Sequence, residues 1–370
     1  MKIAIFYNLP FGGAKRVVLE QVKGLKSLGH VVDVYTLEKE RDSFSPGFVA
    51  DNEYKYDYSP FDIRIPILSR IFGDLQMFYR LRRLHEKIAW DIDNRGYDIV
   101  LVHTDTLTQA PFILRFLKTK SVYFCLEPLR MVYEYSLRVS DNLGFFNKLY
   151  ESINRLVRKK IDRDNARKAD FVLAISLFGR EYMIQAFDLY PKISYLGVDQ
   201  TVFRPLKRKK KNQVLFVAER EYVYGYDLAQ IAIKLIPENI RPNFKIVFGT
   251  KKEQRISEEE LVKTYNESLV TLSLSRFDTF GLVPLESMAC GTPVIVLNVA
   301  GYRETILNGK VGFTVDFDPK EIAEKIMCFV KDPLLAVRMG REGRKWVENN
   351  WTWEKSAEKL EKYLKTVSKK

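Results

Sequence analysis

Two acidic side chains in one short stretch are the clearest candidates for chemistry. Residues 275–301 contain Asp278 in a turn-like segment and Glu286 eight positions later, in the first turn of a helix predicted over residues 285–290. A loop that runs through Gly281 into a helix N-terminus presents unpaired main-chain N–H groups and a partial positive charge, which together hold phosphate. Both acids could therefore face one ligand. The alternative is an acid that caps the helix of an ordinary strand and helix unit, and the spacing leaves both open.

The segments that must position these acids follow the pattern of parallel α/β sheets. Short, nearly all-apolar runs predict strands that are buried on both faces, and most are followed by a loop and an amphipathic helix. The predicted strands are residues 3–7, 31–36, 97–103, 121–126, 214–218, 244–248, 270–275 and 294–297. This alternation predicts doubly wound sheets, in which ligands bind beyond the carboxyl ends of the strands.

Several residues at the ends of the early strands are further candidates. Gly12 and Gly13 follow the first strand and would let the main chain approach a phosphate, although two glycines can also simply turn the chain. His103 ends the strand at residues 97–103 and would point at a ligand, although a lone histidine is more often structural. Glu127 and Arg130 follow the next strand, where they would recognise an acceptor or pair with each other.

Composition limits the class of protein. A chain of 370 residues is comfortable for two domains, and its formal net charge of +13 predicts anionic partners such as nucleotide phosphates or anionic lipid. Three cysteines in apolar contexts and three histidines predict neither a disulfide framework nor a metal site. No run approaches the roughly 20 apolar residues of a membrane span, and the chain begins directly with a strand, so a cytoplasmic location is expected.

The stretch that carries the two acids resembles the donor-site signature of the family 4 retaining glycosyltransferases. The matching residues are Phe280, Gly281, Leu282, Glu286, Ala289, Cys290, Gly291, Pro293, Val294, Gly301 and Glu304. The resemblance implies the GT-B fold, an α/β architecture of two Rossmann-like doubly wound domains that face each other across a cleft. It implies an acceptor-binding domain over residues 1–198, a nucleotide-sugar-binding domain over residues 199–350, and a C-terminal helix over residues 351–370 that returns to the first domain.

The resemblance also implies roles for single residues. His103 and Asp278 would contact the reacting sugar, and Glu286 would accept hydrogen bonds from the ribose hydroxyls of the donor. Arg220 would grip the diphosphate. The donor-binding set is completed by Gly12, Gly13, Phe280, Gly281 and Leu282.

Three departures from the family pattern bear on activity. Asp278 stands where the family has a glutamate, and its side chain is one methylene shorter. Tyr224 stands where a lysine is usual, so another group must supply that charge. The segment between residues 249 and 257 is short, which predicts an abbreviated pocket for the donor base. These departures keep open a non-catalytic binder of sugar nucleotides or polyanions with the same fold.

The predicted function is retaining, metal-independent transfer of a sugar from a nucleotide sugar to a glycan or lipid-linked acceptor. No cofactor is expected, because the nucleotide diphosphate sugar is itself the donor substrate. A nucleic-acid partner is disfavoured, since no recognisable module accompanies the positive charge.

Two basic segments lead to separate expectations. Residues 145–168 combine basic side chains with an apolar line through Leu149, Ile153, Leu156 and Ile161. Such a stretch suits the anionic inner face of a membrane, and a solvated helix face is the alternative. The run of five basic residues at 207–211 is expected to be a solvated connection between the domains.

Overall fold

The computed structural model describes residues 1–37, 39–58, 68–133, 144–247 and 256–369, without the side chains of residues 68–72. The chain divides into two compact units. The first unit consists of Met1–Ile175, Gly179–Ser194 and Ala357–Lys370, and the second of Ser176–Phe178 and Tyr195–Ser356.

The first unit is built on a parallel sheet whose central strands are buried on both faces. Its strands are β1 (Lys2–Asn8), β2 (Val31–Thr36), β3 (Asn52–Lys55), β4 (Ile99–Asp105), β5 (Ser121–Cys125), β6 (Phe171–Ala174) and β7 (Lys192–Ile193). Their spatial order is β3-β2-β1-β4-β5-β6-β7, and every pairing is parallel. The order reverses between β1 and β4, so the carboxyl ends of these two strands form a topological switch point.

Helices flank this sheet, and the first two of them pack with their apolar sides inward. The helices are α1 (Gly13–Ser27), α2 (Leu68–Asp93), α3 (Arg130–Tyr133), α4 (Phe145–Ala166) and α5 (Leu177–Phe187). In α1, Val18, Val22 and Leu25 recur at helical spacing and are fully buried, as expected for a helix that packs on a sheet. In α2, Leu81 and Ile88 are buried in the same way.

The second unit repeats the parallel architecture on a smaller scale. Its strands are β8 (Gln213–Val217), β9 (Asn243–Val247), β10 (Val270–Ser273), β11 (Val294–Leu297) and β12 (Gly312–Val315), in the parallel order β12-β11-β10-β8-β9. The helices are α6 (Tyr226–Leu235), α7 (Glu258–Glu267), α8 (Leu282–Ala289), α9 (Tyr302–Thr305), α10 (Pro319–Lys331) and α11 (Pro333–Asn350). The order reverses between β8 and β10. The prediction of doubly wound sheets is therefore confirmed for both units.

The last helix, α12 (Trp353–Ser368), returns to the first unit as predicted. A Cβ added at Gly24 of α1 would lie 2.5 Å from the Cβ of Ala357, so the two helices are in close contact. The Nε2 atom of His30 lies 2.7 Å from Oε1 of Glu361. These contacts attach residues after 356 to elements from the first 30 positions of the chain.

The helix that follows the acidic loop begins earlier than predicted. It spans Leu282–Ala289 rather than residues 285–290. Gly281 adopts a left-handed φ of 93°, which lets the chain turn directly into the helix. Glu286 therefore lies in the second turn of α8, and its predicted place in the first turn is wrong.

One lysine of the basic run at residues 207–211 is packed against the second unit rather than solvated. The ammonium group of Lys210 donates a hydrogen bond to the hydroxyl of Thr292. Burial lowers the pKa of Lys210 to about 8. The expectation of a wholly solvated run is wrong for Lys210, because Thr292 supplies a polar partner for its partly buried side chain.

Candidate active site

The donor-site candidates of the second unit lie at the carboxyl ends of β8 and β10. Arg220 follows β8 and Asp278 follows β10, and these two strands are neighbours at the switch point of the sheet. The two loops contact each other, since the amide of Arg276 donates to the carbonyl of Val223 at 3.0 Å. The structure therefore brings Arg220 and Asp278 to one edge of one sheet.

The carboxylate of Asp278 holds the turn that precedes α8. Its Oδ1 accepts hydrogen bonds from the amides of Phe280 at 3.1 Å and Gly281 at 2.8 Å. Its Oδ2 accepts a hydrogen bond from the hydroxyl of Tyr302 at 3.2 Å. These contacts fit the alternative in which the acid caps the helix. They also occupy two main-chain amides that were predicted to be available to a ligand. The main-chain donors of the turn are thus fixed by an acid rather than left open.

The start of α8 supplies the remaining main-chain donors. A helix leaves its first-turn amides without intrahelical partners, and Pro284 has no N–H, so Leu282 and Val283 carry these donors. Gly281 must be glycine here, because a Cβ on its left-handed backbone would lie 2.9 Å from the ring of Tyr302. The helix N-terminus therefore has a defined direction relative to the loop.

Glu286 presents a buried carboxylate one turn along α8 from these amides. Its side chain is only 8% exposed, and the hydroxyl of Tyr265 donates to its Oε2 at 3.1 Å. Four residues separate Glu286 from Leu282, a rise of about 6 Å at ~1.5 Å per residue. One ligand could therefore place an anionic group at the start of α8 and a pair of hydroxyl groups beside Glu286, one turn further along.

A second arginine anchors the loop that carries Arg220. The guanidinium of Arg276 makes two parallel hydrogen bonds of 2.8 Å to the carboxylate of Asp227 and lies 3.6 Å from the ring centre of Tyr222. Bidentate pairs of this kind are strong and directional. Arg220 itself is exposed at the same loop. Arg276 thus connects the loop after β8 to the loop after β10.

Gly225 ends the loop after β8 in a conformation that only glycine adopts readily. Its φ is 74°, in the left-handed region. A Cβ at this position would lie 2.1 Å from the carbonyl oxygen of Leu274. The loop can approach β10 this closely because residue 225 has no side chain.

The glycine turn of the first unit lies at the switch point between β1 and β4. Gly12 follows β1 and Gly13 begins α1, and among the described residues no atom beyond the chain neighbours lies within 4 Å of the position that a Cβ on Gly12 would take. Beside the turn, the almost fully buried Lys15 makes an ion pair of 2.8 Å with Asp42. Sequence reasoning missed this buried cation, which the pattern of α1 alone presents as an ordinary helix position.

His103 does not end its strand as predicted. β4 continues to Asp105, because Asp105 pairs with Asn8 of β1 after a shift of register. The imidazole is fully buried, and neither of its ring nitrogens has a hydrogen-bond partner among the described residues. Burial lowers the pKa of His103 to about 3, so the ring is neutral at neutral pH. A buried polar group with two unsatisfied nitrogens is costly and marks a position that calls for explanation.

Asp105 occupies the strand end at which His103 is predicted. Its Oδ2 accepts a hydrogen bond of 2.9 Å from the side-chain amide of Asn8, and its Oδ1 accepts one of 2.7 Å from the amide of Leu107. Burial raises the pKa of Asp105 above its usual value. The residue joins β1 to β4 at the switch point, and sequence reasoning missed it.

The acceptor candidates follow β5, the next strand of the same edge. α3 begins at Arg130, and the carbonyl of Glu127 accepts a hydrogen bond of 2.8 Å from the side-chain amide of Gln109. The amide of Leu129 donates to Asp162 of α4 at 3.2 Å, and burial raises the pKa of Asp162 to about 7. The first unit therefore gathers Glu127 and Arg130 at the same sheet edge as the glycine turn.

Two predictions concern the surroundings of the site. Within the described ranges, no group of three or more His, Cys, Asp or Glu side chains is placed to hold a metal ion. The abbreviated base pocket was predicted between residues 249 and 257, and most of that segment lies outside the described residues.

Comparison with known families decides the class of this chain. The model described as Glycosyltransferase Family 4 matches residues 11–201, and the model described as Glycosyl transferases group 1 matches residues 250–346. The first match alone covers more than half of the 370 residues. The chain belongs to glycosyltransferase family 4. It is a glycosyltransferase, as the donor-site signature predicts.

Relatives and solved structures agree with this assignment. An alpha-1,3/1,6-mannosyltransferase of Dictyostelium discoideum is 33% identical and covers 99% of this chain and 98% of its own length. A capsular polysaccharide biosynthesis glycosyltransferase of Staphylococcus aureus is 26% identical over 74% of this chain and 71% of its own. The structure of HepE from Anabaena in complex with UDP-glucose matches with a TM-score of 0.72 at 13% identity, over 99% of this chain and 100% of that chain. The predicted GT-B fold is confirmed.

Some site residues of this glycosyltransferase are easier to predict from the sequence than others. Arg276 lies two positions before Asp278, so its place in the signature loop could have drawn attention to it. The packing of Lys210 could not be predicted, because the residue stands in a run of five basic residues that look alike in the sequence. Asp105 could have been found by extending β4 until it matched the length of β1.

Proposed function

We propose that this glycosyltransferase moves a hexose from a nucleotide diphosphate sugar to a glycan or lipid-linked acceptor, with retention of anomeric configuration. The observation that carries the proposal is the edge after β8 and β10, where Arg220, Asp278 and Glu286 come from adjacent elements. A cation, a helix N-terminus and a buried carboxylate are the groups that bind a diphosphate and a ribose. The mannosyltransferase relatives make mannose the first donor sugar to test.

The donor is proposed to lie along α8. Its diphosphate would sit at the first-turn amides and Arg220, where the partial charge of the helix and the guanidinium offset the charge of the leaving group. Its ribose hydroxyls would donate to Glu286, whose orientation is fixed by Tyr265. Asp278 would contact the sugar while it holds the turn that aims the amides.

The first unit is proposed to supply the acceptor side and one group for the sugar. His103 would hydrogen-bond the reacting sugar as a neutral imidazole, because its lowered pKa removes the positive charge at neutral pH. Its two ring nitrogens have no hydrogen-bond partner among the described residues, and this contact requires a rearrangement that exposes the enclosed ring. Glu127 and Arg130 would recognise the acceptor.

We expect sugar transfer to continue in EDTA. Thermal shift with GDP-mannose, UDP-glucose and UDP-N-acetylglucosamine identifies the donor, since a ligand that binds only the native state raises the melting temperature. Transfer from that donor is then measured with and without EDTA, and NMR of the product reports its anomeric configuration. The rate should be unchanged and the configuration retained, because Arg220 and the N-terminus of α8 neutralise the diphosphate.

Other results of this experiment separate the parts of the proposal. Loss of transfer in EDTA that Mg²⁺ or Mn²⁺ restores would overturn the metal-independent mechanism. An inverted product would overturn retention. Donor binding without turnover, across glycan and lipid-linked acceptors, would favour the non-catalytic sugar-nucleotide binder.

The exposed face of α4 supports peripheral association with a membrane. Six large apolar side chains of this helix are exposed: Phe145, Phe146, Leu149, Ile153, Leu156 and Val157. Of the predicted apolar line, only Ile161 packs against the core of the first unit. Lys159 and Lys160 lie exposed on the same helix. Among the described residues no helix is both long and apolar enough to cross a bilayer. Insertion of this face into an anionic inner leaflet would place the enzyme beside a lipid-linked acceptor.

Sedimentation with lipid vesicles should show binding through α4. We expect binding to anionic vesicles that falls with salt and drops at least about 30-fold in Lys159→Glu/Lys160→Glu, since each basic residue contributes about 1 kcal/mol near an anionic surface. Leu149→Ser/Ile153→Ser should weaken binding as well, because the apolar face no longer inserts.

Arg158 is unsuited to this test, because it donates to the carbonyl of Leu107 at 2.8 Å and supports the fold. Ile231→Ser/Leu235→Ser in α6 is the matched control, because both residues are 48% exposed. Equal binding to neutral and anionic vesicles, or an equal loss in the control, would leave a soluble acceptor as the better explanation.

A further inference from the structure

The first unit has a depression at the edge of its sheet opposite the glycine turn and His103. Its volume is about 650 Å³, and it is bordered by the last turns of α2 and by the residues just before β4 and β5. The amino ends of parallel strands share one edge, and the seven residues of β4 separate the two edges. At ~3.3 Å per residue this separation is about 20 Å. A ligand here is distinct from one at the candidate active site.

An exposed aromatic ring forms one wall of the depression. Trp90 lies in the last turns of α2 and is 67% exposed, while Phe116 and the buried Tyr97 contribute further aromatic surface. Trp and Tyr combine a large apolar ring with a polar atom that can stay in water, and they are enriched at binding interfaces. The volume also falls in the range of small-molecule sites.

Carboxylates beside this ring are held in fixed orientations by the main chain. Asp93 accepts hydrogen bonds from the amides of Lys118 at 3.0 Å and Thr119 at 2.8 Å. Asp98 accepts one from the amide of Lys2 at 2.7 Å. A carboxylate has about four lone-pair positions. Asp93 also accepts a hydrogen bond of 2.7 Å from the hydroxyl of Thr119, so its acceptor positions are largely used. Asp98 accepts through Oδ2, which fixes its orientation before any ligand arrives.

The charges around the depression are largely compensated. Lys120 pairs with Asp170 at 2.9 Å, and Glu86 pairs with Arg83 at 3.0 Å. Of the remaining charged side chains, Asp93 and Asp98 are acidic and Lys118 is basic, so one excess negative charge remains. Fixed hydrogen-bonding groups next to an aromatic face, with little net charge, fit a neutral ring that carries many hydroxyl groups.

We infer that this depression binds a saccharide. The apolar C–H face of a sugar ring packs on Trp90, while its hydroxyl groups bond to Asn94, Asp98 and Lys118, which border the same depression. The inference is independent of the proposed donor and reaction. A glycan held here stays attached to the protein about 20 Å from the sheet edge that carries Asp105.

Saturation-transfer NMR with mannotriose and maltotriose tests the inference on the full chain. Trp90→Ala should lower affinity for the bound trisaccharide at least tenfold, and Trp90→Phe should restore part of it because a ring is present. Tyr190→Ala is the matched control, since Tyr190 is also 67% exposed but does not border the depression. Transfer to a monosaccharide acceptor should be the same in the Trp90 variants and wild type.

Three outcomes would overturn the inference. The first is the absence of any saccharide signal that depends on Trp90. The second is an equal loss in Tyr190→Ala, which would indicate non-specific contact with exposed rings. The third is binding of trilysine, but not of either trisaccharide, in a manner that depends on Trp90, which would make the depression a site for cationic peptides.

Discussion

Replacing Asp278 with alanine should lower kcat/KM for the donor by at least about 100-fold. The change removes the acceptor of the Phe280 and Gly281 amides, so the turn before α8 loses its anchor. Hydrogen bonds to a charged partner contribute about 1.5–3 kcal/mol each. The loss of about 2.7 kcal/mol of transition-state stabilisation corresponds to that factor of 100. Steady-state kinetics with the donor identified by thermal shift provide the measurement.

Two further variants separate the anchor from the charge. Tyr302→Phe removes the hydroxyl contacts to Oδ2 of Asp278 and to the hydroxyl of Ser273 but leaves both amide contacts, so its effect should be smaller than that of Asp278→Ala. Asp278→Glu keeps the charge and places the family residue at this position, so it should retain more activity than Asp278→Ala. An Asp278→Ala enzyme with wild-type kcat/KM would show that the role assigned to this acid is wrong.

Replacing Gly225 with alanine should destabilise the second unit by about 3 kcal/mol or more. A left-handed residue with a side chain costs about 1–3 kcal/mol, and forcing a methyl group into packed backbone costs a similar amount. The new Cβ would lie 2.1 Å from the carbonyl oxygen of Leu274. Movement of the loop should also raise KM for the donor, because the same loop carries Arg220.

The matched control for this prediction is Gly309→Ala. Gly309 has a φ of 75°, and no atom lies within 4 Å of its Cβ position, so this variant introduces the backbone strain without the clash. Urea unfolding can be followed by fluorescence, because three of the four tryptophans, at positions 346, 351 and 353, belong to the second unit. Equal midpoints for the two variants would mean that the clash is relieved by a small shift of the loop.

The donor side of the site could be predicted because its chemistry is local in sequence. Asp278, Gly281 and Glu286 lie within nine positions, and one loop and one helix carry all three. Arg276 lies in the same stretch, yet its function depends on Asp227, which is 49 positions away. Spacing along the chain reports neighbours on one helix or strand and carries no information about such a partner.

The end of β4 shows a different limit of sequence reasoning. An apolar run that stops at His103 indicates where burial by hydrophobic residues ends, but a strand ends where its pairing ends. Pairing with Asn8 carries β4 on to Asp105. The histidine thereby moves from the predicted strand terminus into the sheet, where its ring is enclosed.

The helix α4 shows that periodicity does not determine which side of a helix is buried. The apolar spacing of Leu149, Ile153 and Leu156 correctly predicts a helix. An apolar stripe usually faces the core, but here polar and small residues at the C-terminal end of α4, including Asp162 and Ala166, are buried instead. Which face is buried depends on the surfaces of the neighbouring helices and strands, and the local sequence contains no information about those surfaces.

The return of α12 sets an order of events during protein synthesis. The first unit includes Ala357–Lys370, so the contacts of Gly24 and His30 with Ala357 and Glu361 cannot form until almost the whole chain has left the ribosome. Nascent domains generally fold from the N-terminus onward. Here the second unit, whose main segment runs from Tyr195 to Ser356, can complete its contacts before the first unit does. The half of the enzyme that is translated first is therefore the half that is finished last.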